Sequence, residues 1–425
     1  MKRVYFVLLI LLVSSVHHAL GQEIRTLARQ DWIELKAVYE DMYTRIGPPA
    51  EFVTQRSPTA NFIVTYNGFS PAAQTAFQFA VNIWAALIGS PVTIRVTANW
   101  TSLATGVLGS AAANGAVRDF PGAPQSGTWY VMPLAEMLFG GNVNDPDSAD
   151  IIANFNMDRS DWYLGTDGST PPGEFDLVSV VLHELCHGLG FAGSMTVSGS
   201  MGSWGLGSGF PFAYDPFPEN GSGQQLIDST IFANPSAALA AQLTGDDIYF
   251  DSPNAVTANG GSPPKLFAPA SWNQGSSYSH LDETTFSAGD PNSLMTPQLG
   301  QAEAIHSPGA ITVGMFEDIG WTIITSIDDP TRTSQEIPKE IVLYQNYPNP
   351  FNPVTHIGFT LSKASDVRIE VYNNLGQKIT TLLDDQRPAG LHVVDFEASE
   401  FSSGTYFYKI QAADFVQVNK MVLMK

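Results

Sequence analysis

Between residues 176 and 189 the chain reads as a helix that is apolar almost all the way round, and this stretch limits the fold more than any other. Leu177, Val178, Val180, Val181, Leu182, Leu185 and Leu189 leave no face for water. A helix that is hydrophobic on every side belongs at the centre of a domain. His183, Glu184 and His187 lie within it, and polar side chains at that depth are costly unless they have partners. His183 and His187 are four residues apart, so both imidazoles project from one helical face. That pattern suits zinc, which takes neutral imidazole nitrogen in tetrahedral geometry. Glu184 lies beside the first histidine, where a carboxylate can take a proton from an activated water and return it to a leaving amine. The expectation is one catalytic Zn2+ on His183 and His187, with Glu184 as general base and acid. A satisfied core histidine pair is the plainer alternative.

Composition narrows the setting. The net charge is −21, and between residues 60 and 325 the basic residues are Arg95, Arg118, Arg159 and Lys265. A polyphosphate partner would be repelled almost everywhere, which argues against nucleic acid. A calcium ion would suit so acidic a chain, but no loop matches the EF-hand pattern and no residue is assigned to it. The one cysteine, Cys186, rules out an intrachain disulfide. Between the two histidines it reads as a small packed hydrophobe. Lys2 and Arg3, the apolar run at 4–13 and the small residues Ala19 and Gly21 form an export-signal pattern over residues 1–21. The run is too short to span a bilayer, and no later stretch is long enough.

Residues 22–58 read as an N-terminal arm or pro-segment. Trp32, Leu35, Val38 and Tyr39 have helical spacing, and Gly47, Pro48 and Pro49 end the pattern. Strands are expected at 62–66, 92–96, 129–131 and 151–155. A helix is expected from Ser70 and Pro71 to Leu87, with proline in its first turn. This order implies a mixed sheet with helices. The Gly- and Ser-rich stretch at 192–275 is long and irregular, as functional loops often are. Residues 59–325 are therefore assigned to one catalytic domain and 326–340 to a polar linker. Residues 341–425 show short alternating runs, such as Ile357/Phe359/Leu361 and Tyr406/Tyr408/Ile410, which fit a small all-β sandwich.

A catalytic zinc of this kind needs a third protein ligand. His17 and His18 belong to the export signal, and His356 and His392 to the β-rich tail. His280 and His306 remain.

The run His183-Glu184-Leu185-Cys186-His187-Gly188-Leu189-Gly190 resembles the zinc helix of metzincin metallopeptidases, with Gly190 at the glycine where the chain turns. The next histidine of that pattern is replaced by Gly193. Leishmanolysin-like metzincins depart in the same way, inserting a long segment before the third histidine and the Met-turn. Ser279-His280-Leu281-Asp282-Glu283 followed by Ser293-Leu294-Met295-Thr296-Pro297 is similar to that order. The resemblance spans about residues 60–322 and is carried at a few motifs. It implies a metzincin-like α+β catalytic domain with an irregular C-terminal subdomain. It also implies His280 as third ligand, with His306 the fallback, and Met295 as a hydrophobic floor to the metal. No cysteine precedes residue 60 to provide a cysteine-switch form of latency.

Residues 341–425 closely resemble the C-terminal sorting domain of bacterial type IX secretion cargo, through Tyr347-Pro348-Asn349-Pro350, Asn374-Leu375-Gly376 and Ser403-Gly404-Thr405-Tyr406. That resemblance implies the type IX machinery as a partner, outer-membrane translocation, and then release or surface attachment. The expected activity is hydrolysis of protein or peptide substrates by a zinc endopeptidase, with an edge strand of the sheet aligning the substrate. A zinc-containing surface adhesin without turnover is the rival from another class. A thermolysin-like site would need a glutamate ligand on a helix soon after His187, and none is read there.

Overall fold

The computed structural model describes residues 23–27, 32–54, 59–324, 341–343, 346, 349–387 and 390–425. The export-signal pattern at 1–21 and the linker at 326–340 lie outside the described residues.

The first hydrophobic core forms around a six-stranded mixed sheet. In spatial order its strands are Gln298–Ile305, Ile33–Ile46, Val107–Ala113, Ile151–Asn156, Ile94–Thr101 and Phe62–Asn67. The last three pair in parallel, Val107–Ala113 runs antiparallel to both its neighbours, and Gln298–Ile305 runs parallel to Ile33–Ile46. Two helices pack into the core. Pro71–Leu87 starts where Ser70 Oγ accepts from the amide of Ala73 at 3.2 Å, with proline in its first turn. Leu177–Leu189, the histidine helix, starts at Asp176, whose carboxylate accepts from Ser179 N at 2.8 Å.

Every residue of the histidine helix is buried. At about 1.5–3 kcal/mol for each large aliphatic side chain, its leucines and valines anchor it firmly enough to hold polar groups at depth. Two tryptophans clamp it. Trp84 Nε1 donates to Leu182 O at 3.0 Å, and Trp321 Nε1 donates to Leu189 O at 2.9 Å. The second bond satisfies a carbonyl that the helix end leaves without an internal partner.

Residues 31–43, which have helical spacing, lie instead mostly in the strand Ile33–Ile46. The apolar side chains at Ile33 and Leu35 are buried by alternation, and the backbone is claimed by two distant strands. Tertiary pairing overrides a weak local preference here. The strand expected at 92–96 begins and ends later, at Ile94–Thr101. The irregular stretch at 192–275 contains a hairpin of Thr196–Ser198 with Met201–Ser203, a pair of Pro218–Asn220 with Ile248–Phe250, and the short helices Ala237–Leu243 and Pro253–Ala258.

A second core belongs to the C-terminal part. One sheet has Val342–Leu343, Val354–Leu361 and Gly390–Glu397, and the other has Lys378–Arg387, Ser365–Tyr372, Gly404–Ala412 and Phe415–Leu423. Ile357, Phe359, Leu361 and Phe396 from the first meet Val367, Ile369, Val371, Tyr408 and Ile410 from the second. The protein is α+β with a small all-β region at its C-terminal end. Among the described residues no helix is long and apolar enough to cross a membrane.

Candidate metal centre

The histidine helix presents His183 and His187 on one face, with Nε2 atoms 3.0 Å apart. His280 comes from a segment 97 positions later in the chain, with its Nε2 3.2 Å from that of His183. Ligand atoms of all three lie within 4.8 Å of one another, and the three side chains are buried. Among the described residues this is the one such grouping of histidine, cysteine or carboxylate side chains, and no acidic trio forms beside it.

Each imidazole is oriented through its other nitrogen. His183 Nδ1 is 2.6 Å from Leu294 O, His187 Nδ1 is 2.7 Å from Phe191 O, and His280 Nδ1 is 2.7 Å from Ser276 O. A carbonyl oxygen only accepts, so each Nδ1 carries the proton and each Nε2 carries a lone pair. A proton between two Nε2 atoms would require an imidazolium. Burial disfavours that form, holding His183 down to about 4 and His187 and His280 well below the usual histidine range. Three acceptor atoms therefore point at one another with no donor among them. Leaving such atoms unpaired costs about 1–3 kcal/mol each. A cation that takes neutral nitrogen fits this donor set, and backbone-held Nδ1 protons are the usual support for such ligands.

Local chain geometry explains the convergence. Gly190 ends the helix at φ +121°, and Phe191 N then bonds back to Cys186 O at 3.1 Å. That reversal brings Phe191 O to His187. Ser293–Met295 is a single tight helical turn. Its Leu294 O accepts the hydrogen bond from His183 Nδ1, and its Met295 O accepts from Leu281 N at 2.8 Å. Met295 is fully buried in the first core, in the turn that joins the histidine helix to the strand-like segment of His280. At Gly193 a Cβ would lie 2.0 Å from the Tyr278 ring, so no histidine fits at that position.

His306 lies elsewhere. Its Nε2 is 2.9 Å from Asp176 Oδ2, at the opposite end of the same helix. Asp176 and Ser179 also bind each other, and Ser179 Oγ accepts from Ile305 N at 2.7 Å. His306 thus fastens the helix start.

Glu184 is buried against the sheet. Its Oε1 accepts from Leu35 N at 3.3 Å, and Oε2 has no hydrogen-bond partner among the described residues. Burial raises its carboxyl well above the ordinary range. Space for it comes from Gly109, where a Cβ would lie 2.9 Å from Glu184 Cγ and 3.0 Å from Oε1. Cys186 is buried, and burial raises its thiol well above the usual value, which leaves it inert.

Sequence reasoning missed Gly109, Leu35 and Asp215. Asp215 is fully buried and accepts from Ser194 N at 2.8 Å, Phe212 N at 2.7 Å and Tyr278 Oη at 3.2 Å. It ties the chain leaving the histidine helix to the segment that carries His280. A glycine inside a strand is a sign of close approach, but the strand Val107–Ala113 itself was not read. Nothing local marks the other two.

Residues 345–424 match the family of secretion system C-terminal sorting domains. That domain directs export through the type IX system, with secretion or cell-surface attachment as the destination. No curated protein matches the chain. Two solved structures from Porphyromonas gingivalis are similar over part of it. Dimeric latent PorU is 13% identical with a TM-score of 0.17, covering 20% of this chain and 9% of its own. PorZ, a surface component of the type IX secretion system, is 12% identical with a TM-score of 0.14, covering 20% and 11%. This chain therefore spans only a small part of either.

Proposed function

We propose that this exported protein is a zinc-dependent endopeptidase. The observation that carries the reading is the meeting of three lone-pair-bearing Nε2 atoms, two from His183 and His187 on the helix that also holds Glu184 with a partnerless Oε2, and one from His280 on a separate segment. Zinc bound by these histidines would supply a Lewis acid for the peptide carbonyl and acidify a water. Glu184 Oε2 is the atom open to take the proton of the attacking water and hand it to the leaving amine. The carbonyls of Leu294, Phe191 and Ser276 keep the imidazoles in the required tautomer. The order of histidine helix, glycine turn, late third histidine and Met295 turn supports a leishmanolysin-like metzincin.

The test is metal analysis of the purified protein with cleavage of an unfolded protein substrate, with and without chelator. About one zinc per chain and chelator-sensitive cleavage are expected. Zinc held tightly with no turnover on any substrate, both in the whole chain and after the segment before residue 59 is cut away, would leave a metal-containing binding protein.

Two further results are expected. Gly109→Ala places a methyl group against Glu184 and Val180 Cγ1, the latter at 3.1 Å. It should cost about 1–3 kcal/mol of stability. Shifting the carboxylate by a fraction of an ångström should lower turnover by about 10²-fold at most, which melting curves and kcat report together. A chain ending at residue 325 should keep its melting temperature within about 2–4 °C, the effect of roughly 1 kcal/mol, and keep its cleavage, because the two cores share no residue. In cells its exported fraction should fall to background. An inactive or insoluble truncation would tie the sorting domain to catalysis.

A further inference from the structure

The strand Val107–Ala113, next to Glu184, would be a free edge for substrate were it not already paired. One side pairs with Ile151–Asn156. The other is taken by the N-terminal arm: Ile33 opposite Ala111, Glu34 opposite Ser110 and Leu35 opposite Gly109, all antiparallel. We propose that residues 32–36 are an internal inhibitor, lying in the groove beside Glu184 as an extended substrate would, so that the chain is latent until the arm leaves. The inference rests on the peptidase reading and adds its regulation.

The arm is gripped from both sides. Across from the strand, Glu34 N donates to Gly275 O at 2.9 Å and Lys36 N donates to Pro297 O at 3.1 Å. Lys36 Nζ reaches Asn273 Oδ1 at 2.9 Å. This opposing wall is the segment that carries His280, whose Nδ1 bonds Ser276 O one residue beyond Gly275. The peptide groups of 34–36 therefore bridge the sheet edge and the wall of the third histidine, as a bound peptide must in order to pass the metal centre.

One contact separates a plug from an ordinary strand. A strand that only extends a sheet sends its amides to neighbouring strands or to water. Leu35 N instead reaches Glu184 Oε1 at 3.3 Å. The nitrogen of the Glu34–Leu35 peptide thus touches the carboxylate that serves a leaving amine. Ile33 and Leu35 are 7% and 1% exposed, leaving no space for a second chain. Beyond Lys36 the arm pairs in parallel with Gln298–Ile305, which holds the plug in place. The chain has no cysteine before residue 60 to act on a metal, so the blockade is one of main-chain pairing and filled space. Departure of the arm exposes an edge strand ready to pair with an extended peptide.

The experiment uses the full chain with a recognition site for a specific protease inserted between residues 54 and 59. Cleavage of an unfolded protein substrate is followed before cutting, and again after cutting and removal of the freed segment, with zinc content and melting measured for each form. A tethered segment acts at millimolar effective concentration, so its removal should raise turnover by about tenfold or more. A synthetic peptide of residues 32–46 should then inhibit competitively, raising KM with kcat unchanged. In the uncut chain, Leu35→Pro removes the N–H that reaches Glu184 and should raise turnover with zinc retained. Equal turnover before and after cutting, with no inhibition by the peptide, overturns the inhibitor and leaves the peptidase. Loss of the melting transition on removing the arm makes it a structural strand and also overturns the proposal. Two folded, zinc-loaded forms that are both inactive defeat the peptidase reading itself.

Discussion

Glu184→Gln protein is expected to bind zinc as the parent does and to lose about 10²–10⁴-fold in turnover, the range that a positioned general base contributes. The metal contacts are unchanged, because His183, His187 and His280 each keep their carbonyl partner. The amide also preserves the volume beneath Gly109, which an alanine would leave as a cavity. What disappears is the ability of the group at Oε2 to accept and release a proton. Metal analysis and kcat on the same preparation, taken with the arm removed, make the comparison. Near-normal turnover in the glutamine variant would show that Glu184 is a buried prop, and the mechanism would have to be abandoned.

The second large effect separates two histidines that sequence alone leaves as rivals. His280→Ala should lower zinc affinity by more than the roughly 10–100-fold typical of losing an outer partner, and should abolish cleavage. His306→Ala should keep zinc and cleavage, and lose stability by about 1–3 kcal/mol, because Asp176 then stays buried with one donor fewer. Zinc analysis and urea midpoints on both variants give a crossed pattern: one loses metal, the other loses stability. If His306→Ala lost the metal instead, the convergence at His280 would not be the functional arrangement.

The two faces of the site were unequally legible. His183, Glu184 and His187 share one helix, so spacing and the surrounding leucines and valines were enough to group them. His280 is separated from His183 by 97 positions. Only a histidine inventory and a family resemblance could bring it near. Residues 31–43 read as helical because Trp32, Leu35, Val38 and Tyr39 recur at helical intervals, whereas the chain there forms the strand Ile33–Ile46. Its true partners lie at 107–111 and 298–305, and no local pattern encodes them. The alternating runs Ile357/Phe359/Leu361 and Tyr406/Tyr408/Ile410 were plain, since those alternate side chains are the buried ones. Lys378–Arg387 and Phe415–Leu423 passed unseen because they bury few side chains, Leu383 in the first and Met421 and Leu423 in the second.

The late position of His280 also bears on how the domain is held together. The chain has a single cysteine, so no covalent link shortens any of its loops. An ion shared by His183 and His280 would cross-link residues 97 positions apart. In the chain-entropy picture, closing a loop of about that size is worth roughly 4–5 kcal/mol, as much as a disulfide spanning the same distance. For a protein that must travel outside the cell without disulfides, the metal centre would double as its longest-range staple, and the glycine-rich stretch between the two histidines is the part of the domain that such a staple restrains.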